Sequence, residues 1–217
     1  VPRASKHARP KSTPAGSTSV RSFAEITHDA STRFYPGRPG CPTKFSSPAE
    51  SHERTGRHRL AASALSGLAA AECATLIIAE INPNMPRTHG DGNIHISKFH
   101  RVTEVNYPLP THIVSVPNEV EMKIGENVAG LVENGATLQM GIGAIPNAAL
   151  SAMKNHKELG IHTEMFSDGI IPLIESGVVT NQHKTKHKGY VVTGFMMGSS
   201  YLYEYVNDNP LIRVLDI

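Results

Sequence analysis

The hydrophobic pattern divides the 217-residue chain into an N-terminal part without periodicity and a remainder in which short apolar runs alternate with helical stripes. Leu60 to Cys73 is dominated by Ala and Leu and favours a helix, which Gly67 weakens. Thr75 to Ile81 is a short apolar run closed by Asn82-Pro83-Asn84, the pattern of a strand buried on both faces. A loop over 85–92 and the run Ile94-His95-Ile96 follow. From Asn118 to Gly135, Val120, Ile124, Val128, Leu131 and Val132 recur at helical spacing and predict one face of an amphipathic helix. Asn118 suits its N-cap, Glu121 the capping-box acid and Gly135 its C-terminus. Ala136 to Met140 extends, Gly141-Ile142-Gly143 turns, and Pro146 suits the first turn of a helix over Asn147 to His156. Leu159 to Phe166 reads as a strand, Ile170 to Ser176 as a short helix and Tyr190 to Met197 as a strand. Ser199 to Val206 is helical and Leu211 to Leu215 a last strand. This order implies an α/β fold on a mostly parallel sheet, one that looks cut short because no helix follows the final strand.

Charge sharpens the division. Residues 1–59 hold 11 Lys and Arg against 4 Asp and Glu, a surplus of +7, whereas residues 60–217 hold 10 against 15, a deficit of −5. The first segment also carries 7 of the 15 prolines and no apolar run able to offset its ordering entropy, so it is expected to be a disordered tail. Such Arg- and Ser-rich termini suit mitochondrial import, with the cytoplasm as the alternative. No nucleic-acid partner is expected, and no stretch approaches the roughly 20 apolar residues of a membrane span. Cys41 and Cys73, the only cysteines, point to a reducing compartment rather than a disulfide framework.

The candidate chemistry centres on two places. In Gly141-Ile142-Gly143-Ala144 the glycines let backbone N–H groups converge at a helix N-terminus, a setting for a phosphate or an oxyanion. A dinucleotide fingerprint would want a third glycine where Pro146 stands, and an ordinary tight turn is the plain alternative. Strand alternation puts Ile161, Thr163 and Met165 on one face and His162, Glu164 and Phe166 on the other. Glu164 beside an amide-lined loop could act as a nucleophile, or be a satisfied polar residue at a sheet edge. His89, Asp91 and His95 have the types and spacing of a metal site, or of a hydrogen-bonded turn. His183, Lys184, Lys186, His187 and Lys188 form a positive run that is either a solvated loop or a contact for the phosphates of a large anionic cofactor.

Four strings, AEINPNMPRTHGD at 79–91, IGENVAGLVENGATLQMGIGAIPNAAL at 124–150, LGIHTEMFSDG at 159–169 and GSSYLYEYVNDNP at 198–210, resemble the acetyl-CoA hydrolase/transferase family over about residues 69–217. The likeness is strongest to its 4-hydroxybutyrate or butyrate/acetate-type CoA-transferase branch. The resemblance implies a NagB/RpiA/CoA-transferase-like fold with residues 60–217 forming partial domains, the end of an N-terminal one and the start of a C-terminal one. It also implies ping-pong transfer of CoA between short-chain carboxylic acids, with CoA as substrate and no permanently bound cofactor or metal. Glu164 matches the family's nucleophile, and Gly141, Ile142, Gly143 and Ala144 match its substrate-binding glycine loop. A homo-oligomer is admitted. Family members run to about twice this length, and a second glycine motif has no counterpart here. The expectations are therefore a CoA-transferase, a non-catalytic fragment that at most binds CoA or a complete subunit, or an acyl-CoA hydrolase. A metal hydrolase around His89 and His95 stands further off.

Overall fold

A computed structural model describes residues 44–49, 57–59, 71–72, 74–112 and 116–215. Ten strands occur among them: β1 Lys44–Ala49, β2 Arg57–Arg59, β3 Leu76–Ile81, β4 His89–Gly90, β5 Asn93–His95, β6 Arg101–Glu104, β7 Thr137–Leu138, β8 Gly160–Phe166, β9 Val191–Met196 and β10 Ile212–Val214. Four α-helices accompany them: α1 Glu119–Ala129, α2 Ala144–Ala152, α3 Ile171–Glu175 and α4 Ser200–Val206.

The main sheet has the order β4-β10-β9-β8-β7 and is parallel throughout. From β7 to β10 each strand lies beside its predecessor in sequence, joined through α2, through a 3₁₀ turn at Asp168–Ile170 with α3, and through α4. Three crossovers that step the same way, with the right-handedness such connections have, stack their helices on one face. Beneath them lies the core, in which Leu159, Ile161, Phe166, Ile170, Ile171 and Leu202 are fully buried. A second parallel sheet has the order β1-β3-β6, and β2 pairs with β5 antiparallel.

The α/β parallel architecture is thus as the pattern predicted, and the differences are local. Lys44–Ala49 and Arg57–Arg59, within the segment expected to be a disordered tail, form β1 and β2, because edge pairing draws on backbone N–H and C=O groups and needs no apolar face. The rest of that tail, Cys41, Cys73 and most of the Leu60–Cys73 helix lie outside the described residues; Ala71 and Glu72 are helical. In β3 only alternate residues, Ile77, Ala79 and Ile81, are buried, so it is buried on one face rather than two. Tyr107 donates to Glu80 Oε2 (2.6 Å), and burial, reinforced by that bond, pushes its phenol up to about 12.

Helix α1 begins as predicted, with Asn118 and Glu121 forming a reciprocal capping box. It ends at Ala129 with Gly130 as C-cap, not near Gly135, which adopts φ +80° in a later turn whose N–H donates to Lys157 O (2.9 Å). Its buried residues are Gly125 and Ala129, while Val120, Ile124, Val128 and Leu131 are exposed, the last at 85%. Of the predicted apolar stripe only Val132 packs against the core, and the rest faces outward. Small residues win the inner face because α2 comes so close: a Cβ at Gly125 would lie 2.6 Å from the Ala148 carbonyl carbon.

Candidate active site

Glu164 is exposed on β8 between the buried Thr163 and Met165, so the strand's alternation turns its carboxylate away from the core. Phe166, expected on the same face as Glu164, instead joins the core with Ile170 and Leu202. Thr163 holds the neighbouring loop in place. Its Oγ1 accepts from Met140 N (3.0 Å), and the hydroxyl proton is shared between the carbonyls of Met140 and Met165, each 3.1 Å away. The residue before Gly141 is thereby tied to the residue before Glu164, a tether that links positions 23 apart in sequence.

Beyond Met140, Gly143 adopts φ +118° and caps α2. That conformation is open to glycine and strained for a residue with a Cβ. The helix starts at Ala144, earlier than the predicted Asn147, and Pro146 sits in its first turn, where a missing N–H costs nothing. Asn147 N donates to Gly143 O (3.3 Å). The earlier amides of that turn have no intrahelical acceptor by geometry and face outward with the positive end of the helix. No described atom would come within 4 Å of a Cβ on Gly143, so the loop is open there.

Behind Glu164 the chain is clamped. Asp168 accepts from Ser199 N (3.0 Å) and from Ser199 Oγ, which joins the end of β8 to the N-cap of α4. Gly198 is required there, since a Cβ would lie 2.2 Å from Asp168 Oδ2. Asp168 and Thr163 went unassigned in the sequence, because each acts through a partner 23 or more residues away.

The basic run is a built loop. Lys184 is 2% exposed, and its Nζ donates to the carbonyls of Ile161 and Tyr190, both at 2.7 Å. Asn181 Oδ1 accepts from Ile161 N (2.8 Å), and the Asn181 carbonyl accepts from Gly189 N (3.0 Å). Burial lowers the Lys184 ammonium to about 8. Its unfolded value is 10.5, so between these the unfolded chain holds more protons and stability rises with pH. The neutral amine keeps two N–H groups, enough for both carbonyls. We expect the urea midpoint to climb from about pH 8 towards the tyrosine range, and Lys184→Met to flatten that climb and lower stability by about 1–3 kcal/mol through the carbonyls it strands. An unchanged slope in the variant would show that another group sets it.

The metal-type residues are engaged elsewhere. His89 Nε2 meets Asp208 Oδ1 at 3.0 Å, and His95 Nδ1 bonds Ser97 Oγ (2.8 Å) and accepts from Ser97 N (3.2 Å). Among the described residues no group of three or more His, Cys, Asp or Glu could hold a metal ion. No described helix is long and apolar enough to cross a membrane.

Over 148 residues the chain is 50% identical to 4-hydroxybutyrate coenzyme A transferase of Clostridium kluyveri, covering 68% of this chain and 34% of that protein. The matched segment belongs to the CoA-transferase family. It is also 43% identical over 150 residues to a succinyl-CoA:acetate/propanoyl-CoA:succinate CoA transferase of Fasciola hepatica, covering 69% of this chain and 31% of that one. The chain thus spans about a third of the length of these curated relatives. Among solved structures, 4-hydroxybutyrate CoA-transferase from Porphyromonas gingivalis superposes with a TM-score of 0.76 at 38% identity, covering 89% of this chain and 49% of its own. RipA from Yersinia pestis gives 0.77 at 37%, covering 80% and 40%. No family model matches the chain.

Proposed function

We propose that the complete protein transfers coenzyme A between short-chain carboxylic acids, with Glu164 as the nucleophile. The observation that carries this reading is the exposed Glu164 carboxylate on β8, beside a glycine loop fixed to the same strand by Thr163. The two curated relatives are both named as CoA-transferases, which supports it.

In the reaction a Glu164 carboxylate oxygen attacks the thioester carbonyl, and the resulting oxyanion is stabilised by the amides at Gly141 to Ala144. Collapse expels CoA thiolate and leaves an acyl-glutamyl anhydride. The thiolate then attacks the Glu164 carbonyl, the donor acid departs as carboxylate, and Glu164 is left as a CoA thioester. The acceptor carboxylate attacks this thioester and the steps run in reverse, returning Glu164 free. Each step exchanges one acyl bond for another, so no outside co-reactant is needed.

Incubation of the chain with acetyl-CoA or butyryl-CoA tests the reading. Intact mass should rise by one CoA less one water, mapping to the peptide that contains Glu164. An adduct that maps to another residue would overturn Glu164 as the nucleophile. A second reading, acyl-CoA hydrolysis, rests on the openness of Glu164 to water. Decay of the adduct in buffer without acceptor acid, faster than transfer to added acetate, would favour it.

A further inference from the structure

Strands β8 and β9 each bury one hydroxyl, Thr163 at 1% exposure and Thr193 at 0%. A valine would fill either place without the cost of burying a polar group, so each hydroxyl has to be satisfied by bonds. The two threonines are register partners. Strand alternation puts them on the face opposite Glu164. On the face of Glu164 stands His162, whose ring meets that of His187 edge-on with centroids 6.0 Å apart.

Both threonines bond in the same pattern. Thr163 Oγ1 reaches the Met165 carbonyl of its own strand and the Met140 carbonyl ahead of the glycine loop, both at 3.1 Å. Thr193 Oγ1 reaches the Phe195 carbonyl of its own strand at 2.7 Å and the carbonyl of Glu164 itself at 3.1 Å, its one proton shared between them. Each own-strand bond closes over a single residue, Glu164 in β8 and Gly194 in β9. The register, with Thr163 beside Thr193 and Met165 beside Phe195, sets those two residues level. Gly194 lacks a Cβ and is the backbone with most freedom next to the nucleophile. The Thr193 hydroxyl pins it and holds the Glu164 carbonyl in the same contact, in a buried setting where hydrogen bonds are stronger than in water. No described residue bonds the Glu164 carboxylate, so its aim is set by the backbone beneath it.

From these contacts we infer that Thr193 is a positioning residue for the nucleophile. Thr163 ties β8 to the glycine loop on one side, and Thr193 ties Glu164 to β9 on the other. This deepens the transferase reading and rests on it. The aim of Glu164 matters twice in that reaction, because its oxygen attacks the thioester and its own carbonyl carbon is then attacked by the thiolate.

The test is single-turnover formation of the Glu164 adduct from acyl-CoA in the complete protein. Thr193→Val removes the hydroxyl and keeps the branched shape. It should slow the adduct about 10- to 100-fold, the cost of a displacement of up to about 1 Å, with the half-saturating acyl-CoA concentration changed by no more than about twofold. Thr193→Ser keeps the hydroxyl and should recover most of the rate. A purely structural role would lower the unfolding temperature and leave the rate of the folded protein as it was, and that result would overturn the inference. A serine variant no faster than the valine variant would do the same. Thr180→Val is the control: it removes a hydroxyl bonded to Glu158 (2.7 Å) beside the start of β8 and should leave the rate unchanged. An equal loss there would also overturn the inference, since any hydroxyl along the sheet would then serve. If the wild type forms no adduct at Glu164, the transferase reading itself fails; an adduct whose rate ignores residue 193 removes the role of Thr193 alone.

Discussion

Glu164→Gln in the complete protein should lower CoA transfer on the order of 10³-fold or more, with no CoA adduct detectable by mass. The amide is nearly the same size as the carboxylate, but it cannot form the anhydride and leave the ring of steps intact. Because Glu164 is exposed, the substitution should change stability by no more than about 0.5 kcal/mol, which thermal unfolding would confirm. Glu164→Asp separates chemistry from placement: it keeps the carboxylate and withdraws it by one methylene from the loop that Thr163 fixes. A displacement of about 1 Å is worth roughly 10²-fold, so the aspartate should fall between wild type and glutamine. Transfer that survives in the glutamine variant would remove Glu164 from the mechanism.

Gly125→Ala should destabilise the protein by about 1–3 kcal/mol, although in an ordinary helix interior the same change is favourable by about 0.5–1 kcal/mol. The sign reverses because the new Cβ would lie 2.6 Å from the Ala148 carbonyl carbon and 2.7 Å from Ala149 N, and backbone cannot swing aside as a side chain can. Helix α2 must retreat instead, and the loop at its N-terminus moves with it. Transfer should therefore fall along with the unfolding temperature. Gly130→Ala is the matched control, since Gly130 has φ −64° and its nearest contacts to a built Cβ are 3.5 Å away. It should be neutral or stabilising by up to about 1 kcal/mol. If both variants behave alike in denaturant melts, helix contact is not what sets the cost at Gly125.

These cases show which features the sequence made legible. Asn118 and Glu121 were readable as caps because capping is settled within three residues. Strands β8, β9 and β10 were readable because their apolar runs are bounded by turns. The direction of α1 was not: periodicity identifies the apolar stripe but not what packs on it, and the contact with α2 is made by Gly125 and Ala129, which carry almost no hydrophobic signal. Glu164 stood out as a candidate nucleophile only through family resemblance, its pattern alone being that of any carboxylate on a strand. The Thr163 tether, the Asp168 clamp and the facing rings of His162 and His187 join residues 23 to 31 apart, which no local pattern encodes.

The outward stripe of α1 has a practical consequence for measurements on this chain. Val120, Ile124, Val128 and Leu131 give a natively packed protein an oily strip of the kind that hydrophobic dyes bind. Dye fluorescence from this chain would then report a surface present in the folded state, and should persist where near-ultraviolet circular dichroism shows fixed packing. A bright dye signal, usually taken as a sign of a loosened core, would here accompany an ordered one.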